Sequence, residues 1–468
     1  MRKKKDAQRW LEFQPSNLKV TNEYYARYEA ISEILDGAPR LLELVHRDLE
    51  AALEEENRES KRRGGFVYTS EMVLRLALCQ ILEGASLRGI VVRVDDSHCL
   101  RRFTRIHEGP MMGHTALCRL RNTIQPETWK SMNEVLARAA ARLGRITGEK
   151  LRLDTTAVET NIHWPTDSSL LWDAYRTLGR LIGEVRGMDP QAVGNGRIHL
   201  ARVKRTATRI ARKAQHKGRK GKDLKPLYKR LISSVEGICD WSSGVVNRLE
   251  KRLSRGRTTV FADRLERLVE DLRHFERLSR CVIWQATERV LHERPVSNDQ
   301  KLFSLFEEHT ELLKRGKAGK DVEFGHMVQI QQTGEKFITD YEVFDHKPGE
   351  PGLVRPALRS HKNLFGHYPE SVAADKGYWS GDEYEKIPEE VEIVSIPKKG
   401  RRNHLEQERE LDPLFRLAQA FRAGVEGSIS FLKRFLRLAR CMNRGWQHYV
   451  STVGATVFAH NLLVLARC

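Results

Sequence analysis

Apolar residues in the first third of the chain recur three and four positions apart, the spacing of helices that bury one face. SEMVLRLALCQILEG (70–84) and PETWKSMNEVLARAAARLG (126–144) carry the pattern most plainly. The first opens at Ser70 and the second at Pro126 followed by Glu127, residue types that favour a helix start. Between them HTALCRLRNTI sets Arg119 and Arg121 among apolar positions. Residues 1–148 read as an all-α, basic N-terminal domain suited to docking DNA, or as a packed helical scaffold.

At Lys150 the period changes to two. In KLRLDTTAV, Leu151 and Leu153 share one face of a strand, and Arg152, Asp154 and Thr156 share the other. Residues 165–300 are poor in strand signals and read as a basic helical insertion. Leu265, Leu268, Leu272, Phe275 and Val282 in ADRLERLVEDLRHFERLSRCV predict a helical hairpin within the chain, or else a dimer contact. Pro295 and VSNDQ end that stretch. Strand patterns return in VEFGHMVQIQQ and KFITDYEVFD, joined through Thr333-Gly334 as an antiparallel pair. A helix over GLVRPALRSHKNLFG, the strands SVAAD and VEIVSIP, and a long helix over Pro413–Leu436 follow. The fold expected is α/β: a mixed five-stranded sheet flanked by helices. Residues 149–164 and 301–468 form its core, interrupted after the first strand by 165–300.

Charge narrows the partner. The 468 residues carry a formal +19, and 201–230 alone holds thirteen Lys or Arg against one acid, Asp223. Within that run Lys204, Arg205, Arg209, Arg212 and Lys213 are candidate contacts to a phosphate backbone, though such a run is also an ordinary solvated arm. No stretch approaches the roughly 20 apolar residues of a membrane helix, and the basic start MRKKKDAQRW has no apolar run after it, so neither a span nor a signal peptide is expected. Seven scattered cysteines without a CxxC pair predict a reducing, cytoplasmic setting without a disulfide framework.

Three acids remote in sequence stand out. Asp154 lies inside an apolar strand, where an unpartnered carboxylate is costly; bonding to nearby backbone would also satisfy it. Asp375 closes SVAAD as that strand leaves the sheet, the end where open α/β sheets gather ligands; it is also an ordinary turn residue before Lys376-Gly377. Glu426 lies in a helix whose apolar stripe reads Leu414, Leu417, Phe421, Val425, Leu432 and Phe435. Gln419, Arg422, Glu426, Ser430 and Lys433 run down another side, and Arg422 with Glu426 is equally a surface ion pair. Gathered together, the three acids suffice for two Mg²⁺ (or Mn²⁺) ions acting on a phosphodiester. Arg422, Lys433 and Lys376 would then hold neighbouring phosphates.

These segments resemble bacterial insertion-sequence transposases of the DDE type, most closely the ISNCY-like ones. The resemblance is carried by LRLDTTAVETNIHWPTDSSLLWDAYR, KRGKAGKDVEFGHMV, SVAADKGYWS, FRAGVEGSISFLKRFL and GWQHYVSTVGATVFAHNLLVLAR, and extends over nearly the whole chain. It implies an RNase H-like core with Asp154, Asp375 and Glu426 as the catalytic and metal-binding triad. Arg422, Glu426 and Lys433 match the Arg, Glu and Lys of a Tyr-x2-Arg-x3-Glu-x6-Lys signature, while Gln419 stands at the tyrosine position. The insertion after the first strand is also a departure. An aromatic side chain stacks on a displaced base in some relatives; Trp164 or Trp379 would be the one here, if not a packing residue. The implied activity is cleavage at terminal inverted repeats and joining of the 3′-hydroxyl to target DNA. The protein would work as a homodimer in the synaptic complex, on double-stranded DNA of the bacterial nucleoid. A Mg²⁺-dependent nuclease without strand transfer and a non-catalytic DNA-binding derivative are the alternatives.

Overall fold

The computed structural model describes residues 4, 16–59, 68–215, 224–254, 261–317 and 320–467. Residues 216–223 of the basic run and 318–319 of KRGKAGKDVEFGHMV lie outside them. The chain forms two units, one of residues 1–160 with 325–468 and one of residues 161–324.

The first unit opens with α1 (Lys19–Asp36), α2 (Pro39–Glu59), α3 (Ser70–Leu82), α4 (Leu87–Asp96), α5 (His98–Phe103), α6 (His114–Asn122) and α7 (Pro126–Arg142). The helix expected over 70–84 is α3, but its cap is Thr69, whose side chain accepts the Met72 N–H; Ser70 is already helical. Nearly every side chain of α3 is buried, so it is a central helix and not an amphipathic surface one. Its Arg75 is neutralised by Glu71 and Asp36 at 3.0 and 2.7 Å.

Then comes β1 (Lys150–Glu159). The second unit is a bundle of α8 (Asp167–Met188), the short α9 (Pro190–Val193), α10 (Leu200–Gln215), α11 (Lys225–Leu253) and α12 (Ala262–Ala286). Leu265, Leu268, Leu272 and Val282 of α12 are buried in one core with Leu231 and Val235 of α11 and Leu171 and Leu178 of α8. The heptad-like spacing thus closes an intramolecular bundle. β2 (Glu311–Lys317) follows, then β3 (Lys320–Gln332) and β4 (Ile338–Val343). The first unit is completed by α13 (Val354–Phe365), β5 (Ser371–Ala373), α14 (Gly381–Tyr384), β6 (Ile393–Ser395), α15 (His404–Leu411), α16 (Pro413–Arg434) and α17 (Trp446–Leu465).

Among the described residues the sheet has six strands, not five. Its order is β2-β3-β1-β5-β6 with β4 also paired to β3, and β2 is the strand the periodicity did not reveal. β1 is antiparallel to β3 and parallel to β5, and β5 is parallel to β6, so the sheet is mixed and the fold α/β. One face, through Leu151, Leu153 and Val372, packs on Val354, Ala357 and Leu358 of α13. Helix α16 crosses the other. Val158, Val328, Ile338 and Tyr341 share a core with Trp129 of α7, Leu76 of α3 and Phe458 of α17. Asn461 of α17 bonds both the N–H and the carbonyl of Ile338 at 2.9 and 2.8 Å, fixing that buried helix to β4. Among the described residues no helix is long and apolar enough to cross a membrane.

Candidate active site

Parallel pairing of β1 with β5 runs from Lys150 with Ser371 to Arg152 with Ala373; Asp154 and Asp375 each follow the last pair by two residues, Asp154 still within β1 and Asp375 beyond β5. Asp154 is half-buried on β1, and its Oδ1 accepts the Thr155 N–H at 2.8 Å. Asp375 lies just past the end of β5 and caps the turn Lys376–Tyr378, its Oδ1 accepting the Gly377 N–H at 2.8 Å. Both carboxylates therefore use backbone bonds of the kind a structural Asp makes.

A third acid that the pattern did not reveal joins them. Glu350, in the turn before α13, accepts the Thr155 hydroxyl at 2.7 Å, and its other oxygen borders Gly377. A Cβ at 377 would overlap the Glu350 and Asp375 carboxylates, so glycine is required there. All three acids act on Tyr378, which is 2 % exposed. Burial first, then the charges of Asp154, Glu350 and Asp375, hold its hydroxyl well above the ordinary tyrosine range. Nothing in the local sequence EPGL marks Glu350; only the fold brings it there.

Helix α16 starts because Asp412 accepts the Leu414 and Phe415 N–H groups and Pro413 occupies the first helical position. Its buried line is Phe415, Ala418, Val425, Ser428 and Leu432. The expected stripe is wrong at Leu414, Leu417 and Phe435, which are 55, 63 and 45 % exposed. The buried line is instead completed by small residues, Ala418 and Ser428, that let the helix approach the sheet.

The crossing is built from polar contacts. Gln419 donates to the carbonyls of Ala374 at 3.1 Å and Ser395 at 2.6 Å, pinning the helix to the ends of β5 and β6. Arg152 donates to Gln332 Oε1 at 2.9 Å and to the Phe421 carbonyl at 2.7 Å, and lies 4.7 Å from the Phe421 ring centre. Burial pulls its guanidinium down to about 10, leaving it charged at neutral pH. A Cβ at Gly424 would overlap that guanidinium, which makes glycine the side chain that admits β1 beneath the helix. Gln332 completes the line by donating to Ser428 at 2.9 Å.

Gln419, Arg422 and Glu426 lie three and four residues apart, on one flank of α16. The Gln419 contact turns that flank toward the strand ends that carry Asp375. The flank brings Glu426 to the stretch of helix that passes over β1, the strand of Asp154. Its side chain is 68 % exposed and accepts from Arg422 at 3.0 Å, the ion pair weighed from sequence. Asp154, within β1, and Asp375, just past the end of the neighbouring β5, thus lie on paired strands, with Glu426 on the crossing helix. Among the described residues no three of His, Cys, Asp and Glu are close enough together, as they stand, to hold one ion. The donor chemistry nonetheless fits Mg²⁺ or Mn²⁺. Both take oxygen ligands, and Mg²⁺ binds through one or two carboxylates, the donor type that Asp154 and Asp375 supply, while keeping water.

The cations divide. Lys376 and Arg119 are exposed; Arg121 is buried and donates to Gln80. On α10, Lys204, Arg205, Arg209, Arg212 and Lys213 are exposed, with Val203, Ala207 and Ile210 on the buried side and no acid in the helix. Trp379 packs against Tyr384, ring centres 4.7 Å apart, beneath Arg409, while Trp164 is 65 % exposed. Compared with models of protein families, with curated proteins and with solved structures, the chain matches none.

Proposed function

We propose that this chain is a DNA transposase of the DDE type, acting on the ends of a bacterial insertion sequence. One observation carries the reading: Asp154 lies in β1, Asp375 lies just past the end of β5, the strand paired parallel to it, and α16, which crosses both strands, carries Glu426. The strand order, antiparallel through β4-β3-β1 and parallel through β5-β6, supports an RNase H-like core. The net charge of +19 supports a polyanionic partner.

In this reading Asp154, Asp375 and Glu426 hold two Mg²⁺ or Mn²⁺ ions. When bound, the ions supply activation of the entering oxygen and neutralise charge on the phosphate. The protein's part is positional. The Arg152–Gln332–Ser428 line and the Gln419 bonds fix α16, the helix of Glu426, across the sheet. Gln419 occupies the signature's tyrosine position and serves as a strap. Arg422 restrains Glu426 until a substrate phosphate takes the guanidinium instead, and Lys376 and Lys433 hold phosphates on either side. Glu350 keeps the turn after Asp375 in place through Thr155. Terminal inverted repeats and target DNA are the substrates, and two ends require a homodimer in the synaptic complex.

The test is Mg²⁺-dependent cleavage of the native element end by the intact protein and by Glu426→Gln, followed by strand transfer of a pre-cleaved end. Cleavage and joining that both vanish in the variant support a transposase. Cleavage without joining leaves a nuclease. Cleavage unaffected by Glu426→Gln or Asp375→Ala removes the metal site.

A further inference from the structure

Helices α3, α4, α6, α16 and α17 line a cavity of about 590 Å³, of whose wall the proposed catalysis uses Lys433 alone. Arg121 lines it. That guanidinium is 9 % exposed, and its one side-chain partner among the described residues is the amide oxygen of Gln80, a neutral group. Burial lowers its pKa, and no carboxylate figures among the groups acting on it. A buried cation facing a cavity without a counter-ion is expensive unless an anion can enter.

The rest of the wall points the same way. Lys433, Arg434, Arg437 and Arg440 line it too, and no acid does. Glu83, next in sequence to Gly84 of the wall, is engaged by Tyr24, Tyr28 and Arg93, and Glu159 by Arg440. Ser86 and Leu87, the cap and first residue of the ten-residue helix α4, also face the cavity, so a helix N-terminus adds its positive end. Arg437 adopts a φ of 61°, and its guanidinium nitrogen lies against Gly84 in the wall. Ile81, Leu438 and Met442 supply an apolar side to the same space.

We infer that this cavity binds a nucleoside monophosphate unit, its phosphate on Arg121 and Arg437 and its base against the apolar wall. The volume exceeds what inorganic phosphate needs, and the apolar wall would be idle with phosphate alone. The unit is either a free nucleotide or the 5′-phosphorylated terminus of a strand.

Calorimetric titration of the full chain with each of the four deoxynucleoside 5′-monophosphates, inorganic phosphate, a deoxynucleoside and a 5′-phosphorylated single-stranded oligonucleotide tests this. At least one monophosphate or the oligonucleotide should bind ten or more times more tightly than phosphate or nucleoside. Tighter binding of the oligonucleotide than of the monophosphates identifies a strand terminus, and the reverse a free nucleotide. Arg121→Gln and Arg437→Gln should each weaken binding at least tenfold, as loss of a charged hydrogen bond does. Arg437 is exposed, so its variant keeps the test sound if Arg121→Gln unfolds. No binding by the folded wild type at millimolar ligand, equal binding of phosphate alone, or unchanged binding in Arg437→Gln overturns the proposal. None of these outcomes depends on Mg²⁺ cleavage, so the two readings fail separately.

Discussion

Asp375 and Arg152 answer different questions about the same few ångströms. Removing the Asp375 charge while keeping its shape, as Asp375→Asn, leaves the turn able to accept the Gly377 N–H. Under the two-metal reading, cleavage should fall by about a hundredfold or more, with the melting temperature little changed. An active Asp375→Asn would remove the aspartate from the chemistry. Arg152→Met should do the reverse, first of all to stability. It strands Gln332 Oε1 and the Phe421 carbonyl in a buried site, a loss of about 1–3 kcal/mol by denaturant titration. The sequence signalled Asp154 and Asp375 because a carboxylate in or ending an apolar strand is anomalous. It did not signal Arg152 as a strut or Glu350 as a neighbour, since a polar residue's partner is chosen by folding.

At the scale of elements, α13 and α17 each carry a buried histidine held neutral. Burial takes His361 and His460 down to about 4; each donates through Nε2 to a carbonyl, of Gly148 at 2.8 Å and of Lys336 at 3.0 Å. The folded pKa values lie below the unfolded value near 6.5, so the unfolded chain binds protons first as pH falls. Stability should be full above about pH 6.5 and decline toward pH 4, by up to about 3 kcal/mol per histidine. Melting curves across that range should be flatter for His460→Gln; an equal slope would show that His460 titrates normally. Helix α16 offers a second check. Gly424→Ala forces a Cβ into the Arg152 guanidinium and should cost about 1–3 kcal/mol, lowering stability and displacing Glu426 together. Wild-type stability in that variant would mean that helix and strand have room to part. The helix was legible as a helix from Pro413 onward. Its buried face was misread because Leu414, Leu417 and Phe435 look like core, whereas the sheet accepts the smaller Ala418 and Ser428.

For the whole molecule, the basic excess should appear as salt dependence. If α10 lies on a phosphate backbone, replacing Lys204, Arg205, Arg209, Arg212 and Lys213 by Gln should lower the slope of log K for DNA against log salt by up to about 4–5. An unchanged slope would make the helix a solvated face of its bundle. The sequence by itself determined what depends on local period and on summed charge. Helices in the first third, a strand at Lys150, the antiparallel pair around Thr333, the helical character of 165–300 and the basic excess are all properties of neighbours along the chain or of its sum. Only the tertiary structure decided the sixth strand, the parallel pairing of β1 with β5, the neighbourhood of Glu350 and the burial of Arg121 in a cavity wall. Those depend on contacts between segments up to hundreds of residues apart, where many partners fit one pattern and close packing selects among them.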